Sequence, residues 1–395
     1  MLNEQQFIDA ARKSPFYKEL LDTLKSPTWA DIPFTTKQQL RDATPYDLLG
    51  TSVKNIATYP ETSGTTVQPS SSWYSQQDID VEAVVLTESA LQLNENDLIL
   101  NRFPFAIAVP AFLLYWAAQK VKAGFISADV WSQIAPLTRV LSILEKTKPT
   151  DLANDSTEIM KLYHVAKELG QPLPTEKLRA IVVAGEIVSP ARKKYIEKCW
   201  GVPVYSFYGS TETGGIFVSC EQGHFHLDHP KLKVEVVDDA GQIVEPGTVG
   251  HCVISTAREG MPLLRYFNHD RVEVKSAETC TCGNSLPVLL HYGRQDDVIT
   301  VEQRTYSLYD IQEIIYTLST VPFMWKLQLK GEDLHFCLQY KESIDLATIQ
   351  QELTIAFETQ VTVEAMEILP IDTLIPSLKG AGKFSYIEKI ETVQV

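Results

Sequence analysis

Apolar residues recur at helical spacing through residues 4–24, where Phe7, Ala10, Ala11, Phe16, Leu20 and Leu21 form one stripe, and this pattern predicts helix. In the following PFTTKQQLRD segment, Thr35 or Thr36 is placed to cap a short helix. Ser75 precedes a second helical pattern over 76–92, and 97–102 reads as a short strand. Residues 103–118 (FPFAIAVPAFLLYWAA) are almost unbroken apolar sequence. Most of that stretch is core by composition, and its aromatic start is suited to wall a flat pocket. Apolar runs at 179–184 and 203–207 read as buried strands between helical stretches. This alternation predicts a parallel or mixed sheet with helices on its faces.

From about residue 232 the texture changes. LKVEVVDDAGQIVEPGTVGHCVIST alternates like paired strands, with turns at Asp239–Gly241 and Pro246–Gly247. A Cys-rich knot at 280–283 follows, then YGRQDDVI at 292–299. Beyond it, a helix near 308–318, strands near 325–330 and 335–340, a helix near 345–357 and a strand near 361–368 read as a compact α+β module. The expected fold class is therefore α/β. Residues 1–294 form a large domain of β/α layers with a small β-barrel-like part, about 216–292, and 295–395 form a smaller α+β lid.

Composition narrows the function. A chain of 395 residues exceeds one small domain, and 44% hydrophobic residues is ordinary for a globular core. The net charge of −15 disfavours a nucleic-acid partner. No apolar run reaches the roughly 18 residues of a membrane span, and the first residues lack a signal-peptide core, so a cytoplasmic protein with no membrane partner is expected. Six cysteines in a chain this long read as thiols or metal ligands, not as a disulfide scaffold.

Five stretches carry chemistry. Thr62, Ser63, Gly64, Thr65 and Thr66 surround one glycine with hydroxyls, the composition of a phosphate-cradling loop. No Gly-Lys-Ser/Thr follows, so this is not the P-loop NTPase signature. In YSFYGSTETGG, a buried strand ends at Tyr208-Gly209 and hydroxyls surround Glu212, a placement able to hold a divalent metal against phosphate. Ala184-Gly185-Glu186 ends another strand with small residues that let a planar base approach the backbone. Asp270 in LRYFNHD is suited to accept two ribose hydroxyls. Gly293-Arg294-Gln295-Asp296-Asp297 sets a cation beside two carboxylates at the domain junction.

In this order, TSGTT, AGE, YGSTE, RYFNHD, GRQDD and a Gly-Lys near the C-terminus resemble the adenylate-forming superfamily of acyl-CoA synthetases and adenylation domains. Ser14-Pro-Phe-Tyr17, PFTTKQQLRD with the following PYDLLG, and the Cys/His elements resemble its phenylacetate-CoA ligase branch. The resemblance covers essentially the whole chain. It implies that Thr62, Ser63, Gly64, Thr65 and Thr66 bind the triphosphate of ATP, that Glu212 holds Mg²⁺, and that Thr211 contacts the α-phosphate. Ala184, Gly185, Glu186, Tyr208 and Gly209 would line the nucleotide slot, with Asp270 on the ribose and Arg294 on ribose or phosphate. Asp296 would be the lid's hinge and Lys383 the adenylation lysine, with Lys379 a competitor. A carboxylate attacking an α-phosphate brings two anions together, so a metal and a lysine must offset their charge.

Two departures stand out. Val67 and Gln68 replace the glycine and cation usual after the threonines, and Glu302-Gln303 replaces an Arg-Gly turn, with Leu308 at the family's proline. The thiol acceptor is therefore open between CoA and a carrier-protein phosphopantetheine. Transfer to an amine, or a nucleotide-binding homologue without turnover, stays open as well. Cys220, His226, Cys280 and Cys282 form a closed structural Zn²⁺ set that the resemblance supports; His224 and His229 are the other histidines near it. Cys199, Cys252 and Cys337 read as packing residues. Phe103, Phe105, Pro110 and Phe207 suit a small aryl carboxylic acid. The sequence leaves a homodimer open.

Overall fold

The structure is a computed structural model that describes residues 2–25, 27–62, 69–368 and 384–390. Ser63, Gly64, Thr65 and Thr66, the replaced positions Val67 and Gln68, and both Lys379 and Lys383 lie outside the described residues.

The single apolar stripe over 4–24 is two helices, Glu4–Ala11 and Pro15–Thr23. Ser14 caps the second with Pro15 in its first turn, because proline starts a helix far more easily than it continues one. Thr36, and not Thr35, caps the helix Lys37–Asp42 through a reciprocal box with Gln39. Thr35 is buried, and its hydroxyl meets Tyr17 OH at 2.9 Å and Leu264 O at 2.7 Å. Phe7, Tyr17, Leu21 and Leu40 from these helices pack on Met261, Leu263 and Tyr266.

The central sheet has six strands in the order Gly124–Ser127, Leu98–Asn101, Asp151–Asn154, Ala180–Val183, Val204–Gly209, Ile216–Val218. The first five are parallel, and the sixth is antiparallel to its neighbour. The 103–118 stretch contributes a loop and then the helix Pro110–Val121, whose Leu113, Leu114, Ala117 and Ala118 are buried against this sheet. The barrel-like part is a five-stranded antiparallel sheet in the order Leu232–Val237, Gly250–Thr256, Leu263–Lys275, Val288–Arg294, Phe225–His226.

A short 3₁₀ turn, Gln295–Asp297, follows the last residue of that sheet. The chain continues into a two-stranded hairpin, Ile299–Val301 with Arg304–Tyr306. Glu302 and Gln303 form its turn with φ of 48° and 68°, the left-handed backbone that a tight hairpin needs even though neither residue is glycine. The lid's four-stranded sheet runs Val361–Ala365, Asp333–Gln339, Met324–Lys330, Ile387–Lys389, with the helices Leu308–Ile315 and Leu346–Phe357 beside it. One apolar cluster joins the lid's Ile311, Trp325 and Leu327 to Val140, Ile159 and Ile196 of the body. The C-terminal part therefore shares a core with the body.

Candidate active site

The expected nucleotide residues gather at the carboxyl ends of the parallel strands, where ligands of open α/β sheets bind. Ala180–Val183 runs out into Ala184-Gly185-Glu186, and Val204–Gly209 ends at the loop holding Thr211 and Glu212. Gly185 has φ of +85°. A Cβ on Gly209 would come within 2.5 Å of Gly215 O, so the strand can turn here only on glycine.

Glu212 is the buried charge of this loop, its side chain 3% exposed. Its Oε1 lies 2.9 Å from Lys37 Nζ and has no further hydrogen-bond partner among the described residues. Burial alone would raise its carboxyl; Lys37 outweighs burial and holds it below the usual carboxylate range. The sequence assigns PFTTKQQLRD a capped helix and a share of the family resemblance but no role for Lys37, and no local spacing signal links Lys37 to a loop so far along the chain. Lys37→Met should cost about 2 kcal/mol at pH 7, the scale of leaving a buried charge unpaired. A depressed folded-state pKa contributes stability above the unfolded value and loses it as pH falls through the folded one. The gap between wild type and variant should therefore shrink below pH 4.5, as denaturant melts at neutral and acid pH will show.

On the neighbouring antiparallel sheet, Asp270 accepts hydrogen bonds from Tyr208 OH (2.9 Å) and Asn268 Nδ2 (3.1 Å). His291 Nε2 stands 3.7 Å from its other oxygen, and the His291 ring lies over Tyr208 at 4.5 Å between centroids. Burial would raise Asp270, but His291, Tyr208 and Arg294 hold it low. Arg294 sits opposite Asp270 in register. The structure thus brings Tyr208, Asp270 and Arg294 together and adds His291, which sequence reading missed.

Thr62, the first of the hydroxyl-rich stretch, pairs with Ser70. Its N–H donates to Ser70 O and its Oγ1 accepts from Ser70 N, both at 2.9 Å. Glu186 stands apart from the other slot residues: its Oε2 accepts from Arg192 Nη2 (2.9 Å), Ser156 Oγ (3.0 Å) and Thr157 Oγ1 (3.0 Å). Burial pushes Glu186 up, yet Arg192 and these hydroxyls bring it below its ordinary value. Its side chain is engaged toward the lid, so only its backbone is free to face a base. At the expected hinge residue, Lys389 Nζ donates to Asp296 O at 2.8 Å.

Phe103, Phe105 and Phe207 meet in one core cluster with Phe105 edge-on to Phe112. A small cavity of about 20 Å³ is lined by Tyr59, Pro60, Ile107, Phe112 and Trp116 among others. Phe103, Phe105, Pro110 and Phe207 are not in its wall.

The donor atoms of Cys220, His226, Cys280 and Cys282 all lie within 4.8 Å of one another. Cys220 Sγ is 3.6 Å from Cys280 Sγ, and Cys282 Sγ is 3.2 Å from His226 Nε2. Tetrahedral bonds of about 2.3 Å would set sulfurs about 3.8 Å apart. His226 Nδ1 faces Leu286 O at 3.1 Å, which leaves Nε2 as the nitrogen aimed at the set. His229 instead pairs with buried Glu82 at 3.0 Å.

The profile of the family described as "AMP-binding enzyme" matches residues 6–261. The chain belongs to that family. It is 25% identical to the phenylacetate-coenzyme A ligase of Thermus thermophilus, over 92% of this chain and 83% of that one. It is 22% identical to the Escherichia coli phenylacetate-coenzyme A ligase, over 93% and 84%. Among solved structures, a 2-hydroxyisobutyryl-CoA ligase in its postadenylation state, bound to R3-HIB-AMP, aligns with TM-score 0.85 at 17% identity, covering 98% of this chain and 88% of that one. The same ligase in its thioesterification state aligns with TM-score 0.68 over the same shares, at 18% identity.

Proposed function

We propose that this AMP-binding family member is an acid–thiol ligase: it joins a small aryl or arylalkyl carboxylic acid to AMP from ATP, then passes the acyl group to a thiol. The observation that carries the reading is the pair of polar clusters at the end of the strand Val204–Gly209. One is the Glu212 loop with Lys37, rich in charge and hydroxyls; the other is the Tyr208–Asp270 pair, suited to a ribose. Similarity to two phenylacetate-coenzyme A ligases over more than nine-tenths of the chain supports CoA as the thiol and an aryl acid as substrate.

The residues divide the chemistry. Asp270, fixed and ionised, accepts the ribose hydroxyls, and the backbone of Ala184, Gly185 and Glu186 flanks the base beside Tyr208 and Gly209. Thr62, with residues 63–66, takes the β- and γ-phosphates, and Thr211 the α-phosphate. Lys37 adds a fixed cation beside Glu212, where phosphate charge accumulates. The ionised, buried Glu212 carboxylate fits a divalent ion, and Mg²⁺ bound there would offset phosphate charge. The acid's carboxylate attacks the α-phosphorus, forming the acyl–O–P bond as the bond to pyrophosphate breaks. Lys383 neutralises the two anions during that step. The lid then turns at Asp296, and a thiolate displaces AMP from the acyl carbon. Cys220, His226, Cys280 and Cys282 would hold a structural Zn²⁺, which would contribute to folding and leave the chemistry to other residues.

A panel of aryl, arylalkyl and short aliphatic acids, read by AMP release with and without CoA, tests the reading. Aryl or arylalkyl acids should give AMP and a thioester together. AMP release with aliphatic acids alone would overturn the substrate class, and adenylates that CoA never discharges would overturn CoA as acceptor.

A further inference from the structure

Tyr386 belongs to the lid, one residue before its strand Ile387–Lys389, yet its hydroxyl is buried in the body. It accepts from Arg192 Nη2 at 2.8 Å and keeps its own proton for Thr157 Oγ1 at 2.9 Å or Glu186 Oε2 at 3.3 Å. Arg192, itself 2% exposed, lies between the rings of Tyr386 and Tyr316, at 5.3 and 5.5 Å from their centroids. A second set of contacts lies one turn away. Gln312 of the lid accepts from Ser189 N at 3.0 Å and donates to Ile187 O at 3.1 Å. Glu313 Oε1 accepts from Ala191 N at 2.6 Å, so a lid carboxylate sits on the N-terminal end of the helix Pro190–Trp200.

We infer that Tyr386, acting through Arg192, Thr157 and Glu186, is a positioning residue that latches the lid in its adenylate-holding orientation, and that the Ala184-Gly185-Glu186 turn ties this latch to the nucleotide slot. The inference rests on the ligase reading above. Three features carry it. The orientation seen here is the one that aligns better with a ligase holding its adenylate than with the same ligase in its thioesterification state. The latch is charged and buried, so it is strong while closed and highly specific in geometry. An apolar interface has no comparable preference for one register. Finally, Glu186 joins both ends: its backbone continues the slot strand while its carboxylate receives the lid hydroxyl through Arg192. A base against that turn and a lid on that carboxylate favour each other, which is reciprocal coupling.

The test is Tyr386→Phe in the full chain, which removes one hydroxyl and keeps the ring between Arg192 and the lid core. The amides of Ser189 and Ala191 donate to lid side chains, so their hydrogen exchange reports lid docking without any turnover. The variant should exchange at 189–191 about tenfold faster, the change that roughly 1.4 kcal/mol produces, while the melting temperature stays within a few degrees. Acid-dependent pyrophosphate exchange should fall about tenfold, and thioester formation from supplied acyl-adenylate should be retained or faster. Thr157→Val, which removes the body's hydroxyl, should act in the same direction and serves if Tyr386→Phe does not fold. Unchanged exchange at 189–191 would overturn the latch, as would equal loss in both half-reactions with a lowered melting temperature. Wild type without pyrophosphate exchange for any acid would instead overturn the ligase reading, and the amide exchange would still decide the latch.

Discussion

Cys280→Ser is expected to release one zinc equivalent and lower the melting temperature by about 5–10 °C, the effect of losing roughly 3 kcal/mol from a large domain. Cys220 and His226 follow the Glu212 loop in sequence, and Cys280 and Cys282 precede the strand Val288–Arg294, which leads to the turn Gln295–Asp297. His226 pairs in register with Val288 on that strand. An ion joining the four donors therefore ties the edge of the five-stranded sheet to the loop after Ile216–Val218. The donor atoms already lie within 4.8 Å of one another, so binding should need little rearrangement. Activity per folded molecule should stay close to wild type, because a closed four-ligand site leaves no position for substrate. Elemental analysis and thermal melts check this. Chelator-washed protein without zinc, or a Cys280→Ser that melts like wild type, would contradict the site.

Lys383→Ala is expected to lower acid-dependent pyrophosphate exchange at least about 10²-fold, the scale of removing one preorganised charge from a developing transition state. The charges of the described residues are the reason to expect a further cation. Glu212 and Asp270 are both held ionised, and the cation of Lys37, paired with Glu212 at 2.9 Å, offsets only part of that charge. An incoming carboxylate and a triphosphate would add more negative charge to that cluster. Thioester formation from a supplied acyl-adenylate should survive the substitution, since the acid and phosphate charges have by then been joined. Paired half-reaction assays check this. Equal loss in both would remove Lys383 from the adenylation step, and full activity in both would point to Lys379.

Much of the fold was legible because it rests on local rules. The parallel strands Ala180–Val183 and Val204–Gly209 announced themselves as short apolar runs, and the lid's helices and strands fell within a few residues of their expected places. Boundaries moved where one residue outranked a pattern. Pro15 divided the first apolar stripe into two helices, and the aromatic run at 103–118 became helical only from Pro110. The grouping of Cys220, His226, Cys280 and Cys282 was legible as well, because cysteine pairs have few other uses in such a chain, and their donor atoms lie together while His229 pairs with Glu82. Long-range pairings were not legible. Lys37 meeting Glu212, His291 meeting Asp270, and Tyr386 meeting Arg192 each join segments that no periodicity relates. Glu186 illustrates the limit: the motif located its backbone, but the side chain's direction depends on Arg192 and on a lid hydroxyl two hundred residues away.

The central claim, that this AMP-binding protein joins a carboxylic acid to AMP, is tested most directly by isotope exchange between labelled pyrophosphate and ATP. The account predicts exchange that requires Mg²⁺ and appears only when an acceptable acid, expected to be aryl or arylalkyl, is supplied. It also predicts that no thiol is needed, because the adenylate forms before transfer. Exchange that proceeds equally without any acid, or none with every acid across the panel while ATP still binds, would contradict it.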